Sequence, residues 1–131
     1  MALKYAILVT GSPYTSQAHS SAQRFVDACY RQGHSVHSVF FYGDAVYVAN
    51  ELWNPANDEQ NLQQGWSSLA SQYDLTINAC VSVANKRGIV SQEDAELAGL
   101  PDHNVNADFH IAGLGEWVEA SSHSDRVIHF S

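Results

Sequence analysis

The sequence predicts an α/β fold: a single domain on a mainly parallel β-sheet of about five strands, with helices on both faces in Rossmann- or flavodoxin-like layering. Three observations carry this. Short runs rich in Val, Ile and aromatic residues alternate with stretches whose apolar residues recur at helical spacing. Gly, Pro, Asn and Asp punctuate the changes. The chain has 131 residues, the size of one domain, and shows no repeat, low-complexity tract or linker, so residues 1–131 read as one unit.

Residues 4–9 form an apolar run that reads as a buried strand, and the turn-rich stretch from Thr10 to Tyr14 follows it. A helix over roughly residues 18–32 places Ala22, Phe25, Val26 and Cys29 on one stripe, and Gly33 ends it. Residues 35–42 read as a second strand, left through Gly43-Asp44, with a short helical turn at 45–52. Asn57 through Gln60 resembles a capping box, and Leu62, Trp66, Leu69 and Tyr73 give a helical stripe to about residue 72. A strand at about 75–81 comes next, leading into a short helix that carries Lys86-Arg87-Gly88. Ser91 with Asp94 starts another helix, which Gly99 and Pro101 end. Residues 102–108 read as loop and Phe109-His110-Ile111 as a short strand. Gly113-Leu114-Gly115 opens a helix around Trp117, Val118 and Ala120, and residues 126–130 close the chain as a strand.

Composition is that of a soluble globular protein, 45% hydrophobic and 15% charged. No apolar stretch approaches the roughly 20 residues of a membrane span. Met1-Ala2-Leu3-Lys4 runs straight into a strand without the regions of a signal peptide, so a cytoplasmic location is expected. A formal net charge of −8 disfavours a protein that grips a nucleic-acid backbone, and suits one that meets other proteins.

Cys80 is the residue most suggestive of chemistry. It closes a strand-like run in which Leu75, Ile77 and Ala79 share one face while Cys80 takes the other with Asn78. The carboxyl end of a strand, just before a helix, is where α/β proteins place reactive groups, and a helix N-terminus favours a thiolate. Two readings stand side by side: a nucleophile, or a small buried hydrophobe. Lys86 and Arg87 would favour the thiolate if they fold back toward the sulfur. Cys29 lies on an apolar helical stripe and reads as core. The two cysteines form neither a CxxC pair nor a zinc-type cluster, and no disulfide is expected in a reducing compartment.

Other candidates carry less. The segment from Thr10 to Ser16 follows a strand and opens a helix, where a phosphate or flavin phosphate binds in some folds, but it has no GxGxxG and no P-loop lysine. Of seven histidines, His34 and His37 stand three apart at the start of a strand, and no HExxH or Cys/His cluster appears. His123, just before the last strand, is a candidate to approach a neighbouring active site. Glu93, Asp94 and Glu96 read as a solvated helix face. Phe40 and Phe41 suit core packing on the two faces of a parallel sheet, and Tyr42, Tyr47 and Trp53 suit a subunit interface.

Several segments together resemble the DsrE/DsrF-like family of small sulfur-relay proteins. They are Ala6-Ile7-Leu8-Val9-Thr10-Gly11 with Tyr14, Ser20-Ser21-Ala22, Val39-Phe40-Phe41-Tyr42, and Val46-Tyr47 with Ala49-Asn50. Asn78 through Val81 with Arg87-Gly88, Gly113-Leu114-Gly115 with Glu119-Ala120, and Asp125-Arg126-Val127 complete the match, nearly end to end. The resemblance implies a DsrE-like fold and a cytoplasmic sulfurtransferase. The cysteine matching Cys80 would accept a sulfane sulfur as a persulfide from a TusA-like donor and pass it to a TusE-like acceptor, on a route to 2-thiouridine at the tRNA wobble position. TusB-like and TusC-like chains would complete a heterohexamer. DsrE relatives share the architecture and serve sulfur oxidation with DsrF-like and DsrH-like partners, but Val46-Tyr47 and Val9-Thr10-Gly11 lean toward the tRNA branch. Where Lys86 stands, relatives often carry arginine, whose planar fork a lysine lacks.

Such a relay needs one accessible thiolate and no metal or organic cofactor. Two other functions compete: a non-catalytic assembly subunit of the same hexamer, and a flavin or nucleotide binder using residues 10–16.

Overall fold

The computed structural model describes residues 1–131. The strands are β1 (Lys4–Val9), β2 (Ser35–Phe41), β3 (Ile77–Cys80), β4 (His110–Ala112) and β5 (Arg126–Phe130). They form one five-stranded sheet in the order β4-β3-β2-β1-β5, and every pairing is parallel. The connections are α1 (Ala18–Arg31), a 3₁₀ segment (Gly43–Ala49) with α2 (Leu62–Tyr73), α3 (Val81–Asn85) with α4 (Gln92–Ala98), and α5 (Leu114–Ser122). No helix is long and apolar enough to cross a membrane.

Crossovers between parallel strands are right-handed. The first three connections each step one strand in the same direction, so they load the same face of the sheet. The last runs back from one edge strand to the other, which puts α5 alone across the opposite face, over β1 and β2. The core divides accordingly. On the first face Ile7, Val9, Val39, Phe41 and Ile77 pack with Val26 of α1 and Trp66 of α2 in a cluster of 22 buried residues. On the second, Phe40, Cys80 and Ala112 form a cluster of three, covered by Leu8, Val83 and Trp117. At about 1.5–3 kcal/mol for each fully buried large apolar side chain, the first face supplies most of the stability.

The elements follow the sequence reading closely, and the differences have local causes. The second helix starts at Leu62, not at Asn57: Asn61 is its N-cap, with its side-chain oxygen accepting from the Gln64 N–H at 3.0 Å. Asn57 through Asn61 are all exposed, so a turn begun there would have nothing to bury. The third strand is shorter than residues 75–81, because β2 pairs it only from Ile77 and the chain turns into α3 directly after Cys80. That helix ends at Asn85, so Lys86-Arg87-Gly88 form the turn that leaves it, with Gly88 at φ +78°.

One polar side chain inside the main core is sealed completely from solvent. His19 is fully buried and stacks on Phe41. Its Nε2–H donates to the Gly11 carbonyl at 3.0 Å, and its Nδ1 accepts from the Trp66 indole N–H at 3.0 Å. The ring is therefore neutral and ties the β1–α1 loop to α2. Burial lowers its pKa from 6.5 to about 4. Above the unfolded value the ring is neutral in both states. As pH falls from about 6.5 toward 4 the unfolded chain takes up a proton that the folded chain refuses, and stability drops by roughly 3 kcal/mol. Urea midpoints at about pH 7 and pH 4 test this. His19→Phe should start less stable and lose less on acidification; an equal loss in both proteins would contradict the assignment.

Candidate functional site

Cys80 is the last residue of β3 and the N-cap of α3, in extended backbone at φ −62°, ψ 126°. Strand alternation places Ile77 and Ala79 in the main core and turns Cys80 to the face that α5 covers, as its parity predicts. In register beside it is Ala112, the last residue of β4. The connection after β3 and the one after β4 leave for opposite faces of the sheet, which makes this the reversal point where open α/β sheets gather their sites. An open cleft of about 550 Å³ lies beside it along β4, lined by Val81, Ile111, Ala112, Gly113 and the first turns of α4 and α5, and Cys80 itself does not line it.

The thiol itself is only 1% exposed. It lies in the small apolar cluster with Phe40 and Ala112, against which Leu8, Val83 and Trp117 pack, with the Trp117 and Phe40 rings 6.1 Å apart. Its polar partner is the hydroxyl of Ser82, at 3.7 Å. Sequence reasoning missed Ser82, Trp117 and Ala112. The first had only its place two residues after Cys80 to mark it, and the others depend on where α5 and β4 come to lie.

Neither basic residue serves the sulfur as anticipated. Lys86 is exposed at the C-cap of α3, and Arg87 is committed elsewhere, donating to Asp44 at 3.0 Å and to the Val83 carbonyl at 3.1 Å. Arg87 thereby fastens the end of α3 to the 3₁₀ segment. Because α3 has five residues, little more than one turn, its dipole is slight. His123 is at the wrong end of the molecule. It caps α5, its Nδ1–H donating to the Glu119 carbonyl at 2.9 Å, and α5 has by then carried the chain to the edge where β5 begins, opposite the edge where β3 ends.

The other candidates resolve into structure. Cys29 is buried in the main core, where burial raises its thiol pKa. Three hydroxyls of residues 10–16 are engaged within the chain: Thr10 Oγ1 meets His129 Nε2 at 2.7 Å, Ser12 accepts from the Tyr14 N–H, and Ser16 donates to the Ser131 carbonyl. A Cβ on Gly11 would lie 2.6 Å from Ala18 Cβ, so packing, not a ligand, accounts for this glycine. Nδ1 of His34 accepts from the Leu3 N–H, His37 meets Ser38, and no three His, Cys, Asp or Glu side chains converge as a metal site would require. Glu93 and Glu96 are exposed on α4. Phe40 and Phe41 are buried on opposite faces, Tyr42 is 39% exposed, and half-buried Tyr47 and Trp53 pack around Tyr14.

Trp117 is the large side chain that α5 sets against the cluster holding Cys80, and a buried native thiol reacts only through local opening. In a Cys29→Ala background, Trp117→Ala should speed alkylation of Cys80 by iodoacetamide about tenfold, the factor that about 1.4 kcal/mol of lost cover provides. An unchanged rate in a folded variant would show that access runs by another route.

Residues 3–130 match the model of the DsrE/DsrF-like family. The chain is 44% identical over 128 residues to proteins named sulfurtransferase TusD from Salmonella newport and Salmonella arizonae, covering 98% of this chain and 100% of each relative. Its fold matches the crystal structure of the YchN protein from E. coli with a TM-score of 0.76, over 98% of this chain and 99% of that one, at 22% identity. Sequence and fold thus agree from end to end: the chain belongs to the DsrE/DsrF-like family.

Proposed function

We propose that this protein is a sulfurtransferase of a sulfur relay, with Cys80 as the persulfide carrier. The carrying observation is the position of Cys80: a thiol at the carboxyl end of a parallel strand, at the reversal point of the sheet, beside an open cleft. The likeness to proteins named sulfurtransferase TusD supports it. The donor is a TusA-like carrier and the acceptor a TusE-like protein, on the route to 2-thiouridine at the tRNA wobble position. TusB-like and TusC-like chains assemble with it in a cytoplasmic heterohexamer, and it does not itself hold tRNA, in keeping with its net charge of −8. The chemistry asks for no metal or organic cofactor. A DsrE-type role in sulfur oxidation would use the same thiol with other partners.

One observation favours a second reading, a non-catalytic assembly subunit: the thiol is almost wholly buried. The two separate cleanly in a reconstituted relay containing a cysteine desulfurase, the TusA-like donor and the partner subunits. Cys80→Ser should abolish transfer to the TusE-like acceptor, while Cys29→Ala, a core truncation, should retain it. Undiminished transfer by the assembled Cys80→Ser complex would leave only the assembly role.

A further inference from the structure

The relay reading sets a problem that the surroundings of Cys80 make acute. Sulfur transfer requires a thiolate, and Cys80 is 1% exposed, in an apolar cluster with Phe40 and Ala112. An anion in such a setting is unfavourable unless something hydrogen-bonds to it. Lys86 is turned to solvent and Arg87 is engaged by Asp44 and the Val83 carbonyl. What remains is Ser82 Oγ at 3.7 Å, on an exposed residue whose hydroxyl has no other partner.

We propose that Ser82 is a catalytic residue of the relay, its hydroxyl donating to the Cys80 sulfur whenever that sulfur is anionic. The inference rests on the sulfur-relay reading and deepens it. A serine hydroxyl carries one donor and two acceptor positions. While Cys80 is a thiol, its S–H donates to Oγ. Once the proton has gone to water, the hydroxyl rotates and its O–H donates to the thiolate. Because Ser82 reaches the surface, the same group links the enclosed sulfur to solvent.

Both half-reactions use this contact. In loading, the Cys80 thiolate attacks the outer sulfur of a donor persulfide, R–S–SH. The new bond joins Sγ to that sulfur, the donor S–S bond breaks, and the donor leaves as R–S⁻. The transferred sulfur keeps its proton and its oxidation state, so no oxidant or reductant enters. In discharge, an acceptor thiolate attacks the outer sulfur of Cys80–S–SH, and Cys80 leaves as the thiolate. The negative charge lies on Sγ at the start of the first step and at the end of the second, and Ser82 faces it both times. Loss of the hydroxyl should therefore slow loading and discharge alike, which simple widening of access would not do.

The test uses the full-length chain with Cys29→Ala, adding Ser82→Ala or Ser82→Thr. Iodoacetamide alkylation of Cys80 is followed across pH, and sulfur uptake from glutathione persulfide by intact-protein mass spectrometry. Ser82→Ala should slow both near neutral pH by about three- to tenfold, the net effect of one ordinary hydrogen bond, and move the half-maximal alkylation rate to higher pH. Ser82→Thr, which keeps the hydroxyl, should restore both. An alkylation profile in Ser82→Ala that matches the Ser82 protein overturns the proposal. If the Ser82 protein takes up no sulfur, the relay reading fails, and the alkylation profile still decides whether Ser82 governs the thiolate.

Discussion

The handedness of one crossover shapes this molecule. With strands ordered β4-β3-β2-β1-β5, three connections step one way and load one face, and the single return passes over the other. Everything distinctive about Cys80 follows. Strand parity turns its side chain to the face with one helix, and the end of β3 puts it where the chain switches from one face to the other. The same constraint separates the two cysteines. Cys29 faces the thick core through α1, while Cys80 lies in the thin layer with Phe40 and Ala112. A stable scaffold and a thiol close to the surface are thus divided between the two faces of one sheet.

Burial and reactivity pull against each other at this sulfur. Apolar cover shields a persulfide from adventitious thiols, yet the anionic sulfur that transfer needs must find a hydrogen-bond donor where water is kept out. A cationic side chain would relieve this most strongly, but Arg87 is spent on holding α3 to the 3₁₀ segment. Its ion pair with Asp44 is partly exposed, so its contribution is geometric more than energetic. A neutral hydroxyl is a weaker aid, and it has the merit of serving thiol and thiolate equally well.

Much of the fold was legible because local and global signals agree. The first and last strands have the bounds that their apolar runs imply, and α4 is capped by Ser91, whose hydroxyl accepts from the Asp94 N–H. The start of α2 was misread because Asn57 and Asn61 both suit an N-cap, and only burial of Leu62 decides between them. At the site, parity and strand end marked Cys80 from sequence alone. Its cluster was hidden because Phe40 and Ala112 join it from other strands, and Trp117 packs against it from a long return connection, none of which spacing encodes. His123 failed for a related reason: closeness in sequence to the last strand says nothing about which edge of the sheet a residue occupies. His19 looked like one of seven scattered histidines, and only the fold brings Gly11 and Trp66 to its two ring nitrogens.

Peptide mass spectrometry of the unaltered protein tests most directly whether Cys80 carries the sulfur. After incubation with a loaded TusA-like donor and the partner subunits, one added sulfur, removable by reductant, should appear on the peptide containing Cys80 and not on that containing Cys29. No added sulfur on the Cys80 peptide, with a demonstrably loaded donor and an intact complex, would contradict it.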